Sequence, residues 1–431
     1  MTVLLYIGGV LLFILGLAAS IGLHEFGHLI PAKKFGVKVP RYFVGFGPTV
    51  FSRQIGETEY GVKAIPLGGY VKLVGMLPPA SESNPDRREG WMRTLIADAR
   101  EAEMDEIKPG DEGRLFYQLS TWKKLVTMAG GPITNLLIAY ALFAAYFGFY
   151  GTIEPSSSTV IGSVSACAIP ATEGGRACKA SDPVSPAQAA GFKQGDKMIS
   201  FNGTSVKSWD QLTPLIRANG GAQAEVVVQR DGSTLTLHPT TTVSLRPDLK
   251  DTTKYVNVGF LGVSPLEVQV THGLGYTTKQ MGVFVSLSAK ALVQMPVKLY
   301  GVARTALGLQ PRDREGPMSV VGAGRVAGEI ASTPRGTASD KLASLVMLLA
   351  SLNLFLGLFN LVPLLPLDGG HMAGAIYEGI KRRLARLVGR PDPGHVDVAR
   401  LLPVAYVVGA AFLVMSLLLI YVDIVAPISL S

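Results

Sequence analysis

The chain has 431 residues, 48% of them hydrophobic and only 17% charged, and its mean hydropathy of +0.32 is a balance that soluble globular proteins rarely show. The formal charge of +8 raises nucleic acid as a partner, but no zinc-finger spacing, aromatic RNA-binding motif or long basic run accompanies it, and basic loops beside membrane spans account for it. Two cysteines in so long a chain exclude a disulfide-rich scaffold.

In chain order, residues 3–23 carry no charge and, at 1.5 Å per residue, cross a ~30 Å hydrocarbon core, which predicts a transmembrane helix. The basic start and small-residue cleavage site of a signal peptide are missing. Further apolar segments at 125–150, 342–367 and 401–424 bring the expected number of spans to four. Residues 280–309 are also apolar, but Lys290, Gln294, Pro296 and Lys298 interrupt them, and they read as an amphipathic stretch at the membrane surface within an outer segment, 245–340. Lys33, Lys34, Lys38 and Arg41 follow the first span, Lys123 and Lys124 precede the second, and Lys381, Arg382, Arg383 and Arg386 lie between the third and fourth. The positive-inside rule places these clusters in the cytoplasm, and both termini and residues 151–340 outside, in an inner or plasma membrane.

Between the first two spans, residues 60–75 are β-branched and aromatic around Gly68-Gly69, the pattern of a hairpin or looped strand pair. Residues 78–115 are charged and read as a cytoplasmic insertion, part helical around 91–107, and 370–400 as a second cytoplasmic loop. Outside, residues 158–244 have short β-branched runs at 159–164, 197–201, 225–229 and 234–238, the pattern of a compact α/β module. The fold class is thus an α-helical polytopic membrane protein with a membrane-associated β loop and an outer α/β domain.

The first span ends in His24-Glu25-Phe26-Gly27-His28. Histidines four apart share one helix face, so both can ligate one zinc ion, and the adjacent Glu25 reaches a water on that metal. Zinc lowers the pKa of such a water towards ~7, and a carboxylate then takes its proton and passes it to a leaving amine. The plainer alternative, two ordinary helix histidines, leaves three ionisable residues in a costly place for no return. Catalytic zinc keeps three protein ligands, and Asp368 is the best third. It closes Asn360-Leu-Val-Pro363-Leu-Leu-Pro366-Leu-Asp368-Gly369-Gly370-His371, where the prolines break the helix and the glycines permit a sharp turn. His371 is the alternative ligand, and a polar loop at a helix end is the alternative reading of Asp368.

These motifs together resemble the site-2 protease family of intramembrane zinc metalloproteases, in its bacterial regulator-of-sigma-E type with an outer PDZ domain. His24 to His28 matches the family's zinc motif, and Asn360 to Gly369 its Asn-x-x-Pro with a later Asp-Gly, although Leu365 stands where a second proline is usual and Pro366 follows it. Phe46-Gly47-Pro48, Ile65-Pro66-Leu67-Gly68-Gly69-Tyr70 and Gly130-Gly131-Pro132-Ile133-Thr134-Asn135 also look like family segments, and the resemblance covers most of the chain outside the insertion at 78–115. It implies that Asn360 helps hold the substrate carbonyl or oxyanion, and that the loop with Gly68, Gly69 and Tyr70 dips into the membrane and pairs with an extended substrate. Plainer readings are an interhelical hydrogen bonder for Asn360 and a surface hairpin for the loop.

Residues 185–203, with Ser185, Gly191, Gly195-Asp196 and Asn202-Gly203, resemble a PDZ stretch. Such domains accept a peptide as an added strand, with Val160, Ile161 and Gly162 in the expected edge strand, 160–164. The role could be substrate docking, size exclusion or fold stabilisation; a gate admitting substrates already trimmed outside is favoured. Cys167 and Cys178 follow that strand, outside the membrane, where disulfides persist; a bridge is expected, with two free thiols as the alternative.

The expected enzyme therefore holds one zinc ion on His24, His28 and Asp368, uses Glu25 as acid and base, and cuts a single-pass membrane protein, such as an anti-sigma factor, in or near its transmembrane segment, with membrane lipid around it; no nucleic acid is involved. A di-iron lipid-modifying enzyme needs more than the six histidines present, a structural metal scaffold has no use for Glu25, and a transporter's paired half-helices are not apparent.

Overall fold

The computed structural model describes residues 2–79, 90–173, 176–249, 251, 254–313 and 316–428. The chain divides into two compact units, Met1–Phe149 with His272–Ser431, and Tyr150–Thr271.

The first unit opens with α1 (Thr2–Lys34), which continues beyond the zinc motif expected to close the first span and carries His24 and His28 within its last three turns. Two long strands follow, β1 (Arg41–Ile55) and β2 (Thr58–Lys72). They turn over Gly56, with φ +62°, and each bends back, so that Arg41 faces both Glu59 and Lys72, and Val44 both Val62 and Gly69. The sheet starts well before the expected 60–75, because Gly45, Gly47 and Pro48 interrupt the alternation by which a strand is recognised. Gly68 takes φ +108° with the Phe46 ring in the space of a Cβ, so glycine is required there. Then come α2 (Trp91–Met104) and α3 (Thr121–Ala145), the latter ending in a wider turn over Tyr146–Tyr150.

The second unit contains β3 (Thr152–Pro155), β4 (Ile161–Val164), α4 (Pro186–Ala189), β5 (Lys197–Phe201), β6 (Thr204–Ser205), α5 (Trp209–Ala218), β7 (Val226–Arg230), β8 (Ser233–Leu237), β9 (Thr242–Pro247), β10 (Tyr255–Phe260), β11 (Val263–Pro265) and β12 (Glu267–Val270). An antiparallel sheet of order β6-β5-β7-β8 is joined by the pairs β9 with β10, β4 with β11 and β3 with β12. Ile161, Met198, Phe201, Leu212, Val226 and Leu261 fill its core. The unit exceeds the expected 158–244 at both ends, because β9 to β12 pair back onto it or each other. Cys167 and Cys178 are joined by a disulfide with Cα atoms 6.0 Å apart.

The first unit resumes with α6 (Leu274–Ala306), α7 (Val320–Ser332), α8 (Ala338–Asn360), α9 (Asp368–Leu387) and α10 (Leu402–Val425). Among the described residues five helices, α1, α3, α6, α8 and α10, are long and apolar enough to cross a membrane, against the four expected. The fifth is α6, whose four interruptions are absorbed into one unbroken 33-residue helix. Leu4, Leu11, Leu12 and Leu15 on α1 and Val407, Leu413, Val414 and Leu417 on α10 are exposed, as lipid-facing side chains are.

Helix directions follow from paired contacts. Leu349 of α8 meets Gly16 of α1, and Asn353 Nδ2 donates to Ser20 Oγ at 3.0 Å, so these helices run parallel. Helix α3 runs the other way, with Thr127 beside His28 and Leu136 beside Gly357. So does α7, which lays Ala327 and Ala331 on Gly9 and Gly324 near Phe13. Small residues mark these crossings because, without a hydrophobic force between helices in lipid, close backbone approach supplies the attraction.

Two expectations about the third span are corrected. Helix α8 ends at Asn360 rather than residue 367, since Val362, ahead of Pro363, is biased away from helical geometry. Gly369 and Gly370 make no turn: they lie in the first turn of α9, where a Cβ on Gly370 would stand 2.6 Å from the Leu365 backbone nitrogen, and one on Gly369 would overlap the Val362 carbonyl. Most of the expected loop at 370–400 is thereby helix.

Candidate active site

Because α1 and α8 run parallel, the residues that follow their equivalent turns arrive at one level. His24 and His28 are buried on one face of α1, and Asp368 begins α9 opposite them. His24 Nε2 lies 3.3 Å from His28 Nε2 and 3.3 Å from Asp368 Oδ2, and His28 Nε2 is 3.4 Å from the same oxygen. Among the described residues this is the one group of three such side chains close enough to share a metal.

The residues fit zinc. Ligands ~2.0–2.1 Å from a tetrahedral zinc ion stand ~3.3–3.4 Å from one another, which is the spacing of these three atoms. Asp368 Oδ2 is buried with no hydrogen bond to satisfy it, as expected of an oxygen that faces a cation. His28 Nδ1 bonds the Thr127 carbonyl at 2.8 Å; a protonated Nδ1 donating there fixes the tautomer that leaves Nε2 free to ligate.

Helix α3 reaches this point through glycine. A Cβ on Gly131 would stand 2.7 Å from His24 Nε2 and overlap His28 Nε2, and one on Gly27 or Gly130 would overlap the other helix's backbone. In the sequence Gly130-Gly131 stands out only as a family segment; the small residues at 27, 130 and 131 are the signal of this close approach.

Glu25 is half-buried beside the histidines. A Cβ on Gly69 would lie 3.1 Å from Glu25 Cγ. The outer edge of the folded sheet, Gly69 to Lys72, therefore borders the site, with Tyr70 stacked on Phe43. Asn360 ends α8, half-buried, eight positions before Asp368. His371 lines a separate cavity with Met76, Lys124 and Glu378 and is not in the group of three.

Lys124, placed by its charge beside the second span, is buried and bonds both oxygens of Glu378 at 2.8 and 2.9 Å, fastening α3 to α9 just behind the site. Burial raises the Glu378 carboxyl, but the Lys124 ammonium and the Val396 amide outweigh it and hold it below the usual range.

In the second unit the expected edge is partly occupied. The Val160 carbonyl accepts from Leu266, and Ile161 exchanges backbone bonds with Gly195 and Asp196. Ile161 is in the core, and Gly162 packs on Pro265 and Leu266. Both flanks are thus taken at 160–161, while Ser163 and Val164 are paired through β11 alone among the described residues.

The model of peptidase family M50 matches residues 12–389. The zinc metalloprotease Rip1 of Mycobacterium tuberculosis is 32% identical over 446 residues, covering 99% of this chain and 100% of that protein. The chain belongs to peptidase family M50. It is a zinc metalloprotease with apolar helices of membrane-spanning length. More distant relatives include the metalloprotease MmpA of Caulobacter vibrioides, 27% identical over 87% of each chain, and the regulator of sigma-W protease RasP of Bacillus subtilis, 24% identical over 88% of this chain and 91% of that one.

Proposed function

We propose that this M50 chain cuts a peptide bond within or beside the transmembrane segment of a single-pass membrane protein, with one zinc ion held by His24, His28 and Asp368. The observation that carries the reading is the 3.3–3.4 Å triangle of His24, His28 and Asp368 with Glu25 beside it, on helices suited to a membrane. When bound, zinc supplies a Lewis acid that polarises the scissile carbonyl and acidifies a water towards pKa ~7. The Glu25 carboxylate takes that water's proton and delivers it to the leaving amine. The Asn360 side-chain amide donates to the developing oxyanion.

A transmembrane helix hides its carbonyls in internal bonds and must be unwound before it is cut. The edge Gly69 to Lys72 supports this step: it offers a flank to an extended segment next to Glu25. Phe46, Val50, Phe51 and Ile65 of the same sheet are exposed apolar side chains, which favours its lying in lipid.

The second unit is read as a PDZ domain that admits substrates already trimmed outside, with the flank of β4 beyond Ile161 as its peptide edge. The sigma-regulator name of one relative makes an anti-sigma factor the favoured substrate class. Topology is read as four crossings with the termini and second unit outside. The chain enters α6 beside a 2.8 Å bond from His272 N to Phe147 O at the end of α3, and Arg312, six residues beyond the end of α6 at Ala306, pairs with Asp423 in the last turn of α10 at 2.8 Å. Since α3 and α10 both run away from the zinc site, α6 begins and ends on the same side.

The test is cleavage of a membrane-anchored reporter helix by purified protein in detergent. Wild type cuts it, and Glu25→Gln lowers kcat by at least ~10³-fold. An intact reporter with wild type, or equal cutting by the variant, would refute the reading.

A further inference from the structure

Helix α2 belongs to a charged insertion that plays no part in the chemistry above, yet its polar side chains reach both borders of the site. Ile96 and Arg100 are buried one turn apart, and Glu103 follows on the same face. Glu103 Oε1 accepts from two successive backbone amides, Gly75 N at 2.7 Å and Met76 N at 3.0 Å. Glu106, just beyond α2, pairs with Lys72, the last residue of β2. Towards α9, Arg100 donates to Asp397 at 2.5 Å. Asp397 in turn shares a cavity wall with Leu364, Leu365 and Gly370, which flank Asp368.

We propose that α2 is a strap that fixes the edge Gly69 to Lys72 against the Asp368 side of the site, with Glu103 as its positioning residue. The proposal rests on the reading of that edge as the substrate-pairing strand. Only Leu73 and Val74 separate the edge from the first amide that Glu103 holds, and those residues are buried. The Val74 amide donates to the Lys38 carbonyl at 3.1 Å, and the Gly75 carbonyl accepts from Tyr117 at 2.9 Å. A carboxylate accepting two adjacent amides makes strong, charge-assisted bonds. Without it both amides lose their acceptor, and the exit of the edge strand is free to shift while the zinc ligands, on α1 and α9, stay in place.

Two measurements on full-length protein separate the strap from the proteolytic reading. Hydrogen exchange of amides 69–76 needs no substrate: Glu103→Ala exchanges about tenfold faster than wild type there, and Glu103→Gln, whose amide oxygen still accepts, exchanges as wild type does. In reporter cleavage, Glu103→Ala raises KM about tenfold with kcat within about threefold and bound zinc unchanged, while Glu103→Gln stays within about twofold of wild type. Wild-type exchange or wild-type KM in Glu103→Ala overturns the strap, as does a Glu103→Gln variant equally impaired, or loss of zinc from Glu103→Ala. A wild type that leaves the reporter intact overturns the proteolytic reading instead, and the exchange rates still decide the strap.

Discussion

His24, Glu25 and His28 could be singled out from a pentapeptide because the two proposed ligands and the proposed base lie on one helix, where spacing in sequence becomes spacing in space. Asp368 comes from a distant helix, and it was read as the third ligand from its place closing the third apolar segment, with His371 left as the alternative. The glycines that bring α3 against the histidines carry no side-chain chemistry, so the sequence marks them only as small residues and the structure shows what they approach. This yields a prediction: Gly131→Ala displaces His28 and His24 and weakens zinc binding by ~10–100-fold, as disturbing a ligand's support commonly does. Competitive chelation measures it; wild-type affinity would mean that the helices separate without cost.

At the scale of elements, the helices were legible as long uncharged runs, and the strands of the second unit as short β-branched runs between turns. The first strand of the folded sheet was hidden by Gly45, Gly47 and Pro48, and β9 to β12 by the lack of any local pattern that reports pairing with a distant strand. Helix α9 was hidden because its polar face reads as a loop until Glu378 is seen against Lys124. That buried pair allows a double-variant test. Lys124→Met leaves Glu378 buried with weaker support and costs about 3 kcal/mol, the low end for such a break, since Arg382 stands 3.6 Å from the same carboxylate. Lys124→Met with Glu378→Leu costs much less. The folded pKa of Glu378 lies below its unfolded value of ~4.3, so its contribution is present above that pH and is lost as pH falls through the folded value. Thermal unfolding at pH 7 and in acid checks both; Glu378→Gln should lose less stability on acidification than wild type does.

For the whole molecule, length and apolar composition make α6 a fifth candidate span, while the proposed topology reads its two attachments as returning it to the side where it started. A cysteine placed at Gly308 is therefore expected to react with an impermeant thiol reagent from the same side as the second unit, and labelling from the opposite side would make α6 a crossing helix. The parallel course of α1 and α8 is the feature on which the whole site depends, because it brings Asp368 to the level of the histidines. The direct test of that convergence is bound zinc per chain in purified wild type, Asp368→Ala and Glu25→Gln. One zinc in wild type and in Glu25→Gln, with most of it lost from Asp368→Ala, is the predicted result; full zinc in Asp368→Ala would contradict the account.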